Sequence, residues 1–101
     1  MSGERIFHLA LVSDWERSAP DDYTTSTIGA SLVDQGFIHC SFAHQVDETA
    51  DRLYEGRDDV VLLEIDPDQL TATVKVDDGF PHIYGVLNRD AVVLVAPFRR
   101  S

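Results

Sequence analysis

Two short segments carry a histidine in the middle of an alternating apolar pattern, which limits the chain to a fold built on paired strands. Residues 5–11 place His8 on the face opposite Phe7, and residues 37–42 place His39 between apolar neighbours. A histidine in the middle of a strand of a small protein needs either a polar partner or a cleft. The sequence therefore predicts two strands, each with a histidine that must be satisfied.

The second of these segments also predicts which neighbours of His39 share its face. A period of two puts Ser41 on the same face and Cys40 on the opposite one. Cys40 is then expected to be a buried, inert thiol, because a Cys–His nucleophile or a zinc site would need both side chains on one face.

The remaining spacing predicts an α+β fold, because strands outnumber helices and the helices lie early in the chain. We predict two or three short helices and a small mixed or antiparallel sheet. The expected helices are one with Ser13 and Glu16 as a capping box that ends before Pro20, a helical turn over Ala30–Asp34 and a helix over His44–Tyr54. The further expected strands are a central one over Val60–Ile65, a half-buried one over Thr71–Val76 and a buried one over Ala91–Val95. Tyr23–Gly29 is expected to be a loop or a short strand, and Phe80–Gly85 an irregular aromatic segment.

Length and composition indicate one domain over residues 1–101, in a protein expected to be located in the reducing cytoplasm. Cys40 is the only cysteine, which excludes an intramolecular disulfide and a cysteine-based zinc finger. The start of the chain lacks a secretory pattern, and the apolar runs are too short to span a bilayer. The formal charge of −10 opposes binding to nucleic acids and anionic membranes, so neither is an expected partner.

The candidate site is centred on His8, His39 and His82, with Tyr84 close to the last in sequence. Two alternatives remain open: core histidines that bond backbone carbonyls, and a metal site of all three histidines. The acidic residues of the turns are expected to be solvated: Asp66, Asp68, Asp77 and Asp78.

Four motifs in order resemble the bacterial family known as domain of unknown function 952. They are Ile6–Leu9, Gly36–Ser41, Leu62–Asp66 and Phe80–Gly85. That family is in turn similar to the ADP-ribosyltransferase superfamily, with the RNA 2′-phosphotransferase branch nearest. This resemblance implies a split sheet with a nucleotide-sized cleft between the His8 and His39 strands.

The function expected from this resemblance is binding of NAD, as a substrate, or of a related small nucleotide. We assign His8 and His39 as catalytic and Ser41, His82 and Tyr84 as ligand-binding, with no resident metal. Transfer of an ADP-ribosyl or glycosyl group is one activity that the resemblance allows. A non-enzymatic module that binds a metabolite or a partner is the alternative, favoured by the lack of a clear late catalytic glutamate, and a three-histidine metalloenzyme is a further one.

Overall fold

The structure, a computed structural model, describes residues 4–27 and 30–98. Strands dominate the described chain, as the alternating apolar patterns indicate. The strands are β1 (Ile6–Leu11), β2 (Thr25–Thr27), β3 (Ala30–Ser31), β4 (Ile38–His39), β5 (Ser41–Phe42), β6 (Val60–Ile65), β7 (Thr73–Asp77), β8 (Phe80–Tyr84) and β9 (Val92–Pro97). The helices are α1 (Val12–Ser18), α2 (Leu32–Gln35) and α3 (Val46–Leu53).

The strands form two separate larger sheets and one small hairpin. The first sheet has the order β5-β1-β6-β9 and the second β4-β8-β7, while β2 pairs with β3. All of these pairs are antiparallel. The predicted α+β class with short helices is therefore confirmed.

The chain passes from one sheet to the other at Cys40, within the segment predicted as a single strand. β4, before Cys40, pairs with β8, and β5, after it, pairs with β1. The backbone N–H of Cys40 donates to the carbonyl of Pro81 at 3.0 Å. The single-strand prediction was wrong because pairing partners, and not the local alternation, determine where a strand changes sheets.

The segment over Phe80–Gly85, predicted to be irregular, contains the central strand of the second sheet. β8 pairs with β4 on one side and with β7 on the other. Asp78 and Gly79 form the hairpin turn with positive φ angles of 54° and 82°, which Asp and Gly adopt most readily. The Pro-based prediction failed because this strand still alternates, with Pro81 and Ile83 in the core.

The two apolar runs late in the chain lie at different places in the first sheet. β6 is central, between β1 and β9, as predicted. β9 is an edge strand, and Val93, Leu94 and Val95 are each roughly half exposed, at 48%, 51% and 44%. The prediction of a buried last strand was wrong, because an apolar run alone does not distinguish an edge from a centre.

Two of the helices differ in how their ends match the predictions. α1 follows β1 directly, with Leu11 at the N-cap and no side-chain cap, so the Ser13–Glu16 capping box was wrong. α2 is capped by Ser31, whose hydroxyl accepts the backbone N–H of Asp34. The predicted Tyr23–Gly29 segment contains β2, and its last two residues, Ile28 and Gly29, lie outside the described part of the chain.

The third helix packs one face onto the first sheet. Val46 and Ala50 are buried, and Tyr54 follows on the same face, where its hydroxyl donates to the carbonyl of Leu9 at 2.9 Å. The opposite side of α3 stays exposed and faces the β7–β8 hairpin. None of the helices in the described ranges is long and apolar enough to cross a membrane.

Candidate functional site

A cleft of about 350 Å³ lies between helix α3 and the β7–β8 hairpin. Its two walls come from the helix and the hairpin, and its floor comes from β4 and β8. The lining residues are Thr49, Arg52 and Leu53 on the helix, Asp77, Asp78 and Phe80 on the hairpin, and His39, Cys40 and His82 beneath them.

The two histidines of this cleft are direct neighbours across the strand pair β4–β8. His39 lies opposite His82 in the register, and side chains directly opposite each other share a face of the sheet. Their ring centroids are 5.1 Å apart, and both rings contact Phe37 edge-on, at 4.8 and 4.5 Å. The pleat and the register therefore bring together two imidazoles that are far apart in sequence.

His82 is buried beside His39 and has an unpaired ring nitrogen. Its exposed fraction is 7%, and Nδ1 has no hydrogen-bond partner among the described residues. The nearby Asp77 carboxylate is 3.6 Å from this nitrogen, too far for a hydrogen bond, and it accepts the hydroxyl of Tyr84 instead. An unpaired buried polar atom is costly, so a polar partner at this nitrogen would stabilise the site.

His39 is half-buried and favours its neutral form. Burial lowers its pKa, and the neighbouring His82 and the positive charge of Arg52 lower it further. A neutral imidazole offers one donor and one acceptor nitrogen, so His39 can both donate a hydrogen bond and accept a proton at neutral pH.

His8 lies behind the floor of the cleft and not among its lining residues. It is 2% exposed, and its Nδ1 donates to the backbone carbonyl of His39 at 2.5 Å. Its Nε2 accepts the hydroxyl of Tyr23 at 3.4 Å. The pKa of His8 is lowered to about 4, mainly by burial; the hydrogen bond to the His39 carbonyl opposes this shift, and the nearby His39 ring adds to it. His8 is thus neutral, with both nitrogens occupied.

Ser41 and Tyr84, the other residues predicted to bind ligand, do not line the cleft, but each bonds a residue that does. Ser41 is buried, and its hydroxyl pairs with that of Thr49 at 2.8 Å. Tyr84 is 39% exposed, and its hydroxyl donates to Asp77, a hydrogen bond that raises the pKa of Tyr84. The structure thus brings His39 and His82 together in the cleft and leaves His8, Ser41 and Tyr84 around it.

Cys40 is buried, as expected for an inert thiol. It is 4% exposed, and burial raises its pKa well above the usual range for a thiol. It lies in the cleft floor at the point where the chain changes sheets. Within residues 4–27 and 30–98, no group of three or more His, Cys, Asp or Glu side chains is arranged to hold a metal ion.

Seven of the nine lining residues were not assigned to the site from sequence, and four of these carry a charge or an aromatic ring: Arg52, Asp77, Asp78 and Phe80. The two acids were predicted to be solvated turn residues, and they are exposed, but they also form a wall of the cleft. The pairing within the β7–β8 hairpin is a signal that could have assigned Asp77 to the site. Asp77 lies opposite Phe80, and Phe80 shares a face of β8 with His82. Arg52 carries no comparable local signal.

A family model described as "Protein of unknown function (DUF952)" matches residues 10–95. The chain belongs to the DUF952 family. The resemblance based on four sequence motifs is confirmed to that extent.

Two solved structures resemble this DUF952 protein over nearly its whole length. The crystal structure of protein CC0527 from Caulobacter crescentus has a TM-score of 0.82 and 26% identity, covering 96% of this chain and 88% of that chain. A double mutant of CC0527 has a TM-score of 0.78 and 25% identity with the same coverage. No curated protein matches the sequence.

Proposed function

We propose that this DUF952 protein binds NAD or a related nucleotide in the cleft between α3 and the β7–β8 hairpin. The observation that carries the proposal is the His39–His82 pair on the floor, with His82 Nδ1 buried and without a hydrogen-bond partner among the described residues. Imidazole nitrogens at the floor of a pocket suit ribose hydroxyls and carboxamides, which both donate and accept hydrogen bonds.

The shape and lining of the cleft support a ligand of this class. A volume of about 350 Å³ lies within the range of small-molecule sites. Phe80 offers an aromatic ring at the hairpin wall, on which a base or nicotinamide can stack. The resemblance to the ADP-ribosyltransferase superfamily supports the same ligand class.

His8 has a supporting role in this proposal. Its bond to the carbonyl of His39 ties the end of β4 to β1, across the gap between the two sheets. This bond fixes the backbone from which the His39 ring projects. Loss of His8 is therefore expected to act on the ligand through the position of His39.

The proposal is tested by calorimetric titration of NAD, ADP-ribose and AMP into the parent protein and three variants. We expect His39→Ala and His82→Ala each to weaken binding about tenfold or more, equivalent to ~1.4 kcal/mol. His44→Ala is the matched control, because His44 is exposed and stacks on Phe42, outside the cleft. Absence of binding by all three compounds, or equal losses in all three variants, would refute the proposal.

Glycosidic cleavage of the bound nucleotide is a second candidate, favoured by the carboxylates of Asp77 and Asp78 at the same cleft. Breaking the bond from ribose C1′ to nicotinamide develops positive charge on the ribose, which carboxylates stabilise. With water as acceptor, nicotinamide leaves with the bonding electrons, the water oxygen bonds to C1′, and neutral His39 takes the proton.

Chromatography of NAD incubated with the protein tests this second candidate. Release of nicotinamide that is lost in Asp77→Asn or Asp78→Asn supports cleavage. Binding of NAD without any release identifies a non-enzymatic ligand-binding module instead.

A further inference from the structure

We propose that the unit recognised in this cleft is a ribose phosphate, with the phosphate against Arg52 and the ribose diol against Asp78. This inference rests on the proposed nucleotide binding and specifies which part of a nucleotide the cleft selects. It follows from the distribution of charge on the two walls, and not from the histidines of the floor.

Among the described residues that line the cleft, Arg52 is the only one with a cationic side chain. It lies on α3 one turn after Thr49, and its guanidinium is 5.5 Å from the centre of the Phe80 ring. Within the described ranges it forms no ion pair with a carboxylate. A guanidinium donates two parallel hydrogen bonds to a phosphate, which makes arginine the preferred residue for that group.

Asp78 supplies an unengaged carboxylate on the opposite wall. It lies at the hairpin turn, and it forms no hydrogen bond or ion pair among the described residues, whereas Asp77 is engaged by Tyr84. An ionised carboxylate has two oxygens that only accept, which suits the two hydroxyl donors of a ribose diol.

The two charges line one cleft and yet do not pair with each other. Opposite charges held apart across a cleft fit a ligand that carries an anion at one end and hydroxyl donors at the other. A ribose phosphate has this arrangement. A volume near the lower end of the range for small-molecule sites also suits one nucleotide unit, such as one half of NAD.

Because the chain has a negative net charge, a preference for a phosphorylated ligand depends on Arg52. The chain carries a formal charge of −10, which repels anions at long range. Discrimination in favour of a phosphorylated ligand must therefore come from a local contact, and Arg52 is the cation positioned to make it.

The test compares AMP, adenosine and 2′-deoxyadenosine monophosphate by calorimetric titration with the parent, Arg52→Gln and Asp78→Asn. We expect the parent to bind AMP about tenfold more tightly than adenosine, and Arg52→Gln to remove that difference while leaving adenosine affinity unchanged. Asp78→Asn should remove a preference of about fivefold for AMP over its 2′-deoxy form. Asn is well tolerated at the positive φ of this turn.

Arg57→Gln and Asp58→Asn are the matched controls, since both residues are exposed and lie outside this cleft. The inference is overturned if AMP and adenosine bind equally, or if Arg52→Gln keeps the difference between them. NAD binding that depends on His39 but shows no phosphate preference removes this inference and keeps the proposed function. Absence of all nucleotide binding removes both.

Discussion

The histidine of the first sheet and the histidine pair of the second sheet differ in what surrounds their rings. His8 is enclosed, with a carbonyl on one nitrogen and a tyrosine hydroxyl on the other. His39 and His82 instead lie at a cleft, where His82 keeps a nitrogen without a hydrogen-bond partner in the described chain. One residue type thus appears in a closed hydrogen-bond arrangement and in an open one within the same small fold.

This difference indicates how the same strand pattern can lead to two roles. A histidine with both nitrogens satisfied by the protein contributes to stability and has nothing left to offer a ligand. A buried nitrogen without a partner contributes little to stability and is retained at a cost. We therefore expect variants of the enclosed histidine to act on folding, and variants of the open pair to act on binding.

The largest expected effect is on the enclosed ring. His8→Ala leaves a cavity and two unpaired groups, and should lower the free energy of unfolding by about 4 kcal/mol. Urea unfolding followed by Trp15 fluorescence measures this change. His8→Asn should recover part of the loss, because an amide can still donate to the His39 carbonyl.

A loss below about 1 kcal/mol in His8→Ala would contradict the closed role and would return His8 to the binding site as a direct participant. His44→Ala should change stability by less than about 0.5 kcal/mol, because its ring is exposed.

The second effect is the pH dependence of stability. The folded pKa of His8 is about 4, below its usual 6.5, so between these values the unfolded chain binds a proton that the folded chain does not. Stability should therefore fall as pH decreases through this window, by up to about 3 kcal/mol. Above pH 6.5 the contribution of His8 is complete and no longer varies with pH.

Urea unfolding at a series of pH values measures this dependence, with His8→Asn as the comparison, since asparagine does not titrate. Subtracting the two curves removes the contribution of the carboxylates. Parallel curves for the parent and His8→Asn would show that His8 is already protonated, or exposed, in the folded state.

A smaller effect on stability is expected for the open pair. His39→Ala should lower the free energy of unfolding by less than about 1 kcal/mol, because the ring is half-exposed and its nitrogens make no hydrogen bond within the described chain. Thermal unfolding checks this value. A loss as large as that of His8→Ala would mean that both sheets use their histidines structurally.

The smallest effect is expected at the margin of the cleft. Tyr84→Phe should change nucleotide affinity less than about twofold, because Tyr84 does not line the cleft and its hydroxyl bonds Asp77, its one partner among the described residues. Calorimetric titration with AMP measures it. A loss comparable to that of His82→Ala would extend the site across the sheet to Tyr84, as the sequence alone suggested.

The parts of the site that could be predicted are those with a local signature. The alternation around His39 and the aromatic spacing around His82 are visible in short segments, and both residues lie in the cleft. Arg52 could not be found in this way, because its place in the wall depends on how α3 packs over a distant hairpin. The sequence put Ser41 on the same face as His39, because alternate residues of one strand share a face. That rule does not hold across Cys40, where the chain changes sheets.

By itself the sequence determined the α+β class, strands β1, β6 and β7, the short helices, a turn at Asp78 and the presence of histidines that had to be satisfied. These properties follow from local alternation and from the φ preferences of single residues. Only the tertiary structure decided that His8 is enclosed, that His39 meets His82, and that β9 lies at an edge. The reason is that burial and hydrogen-bond partners depend on which distant strands pair, and one alternating segment is compatible with several pairings.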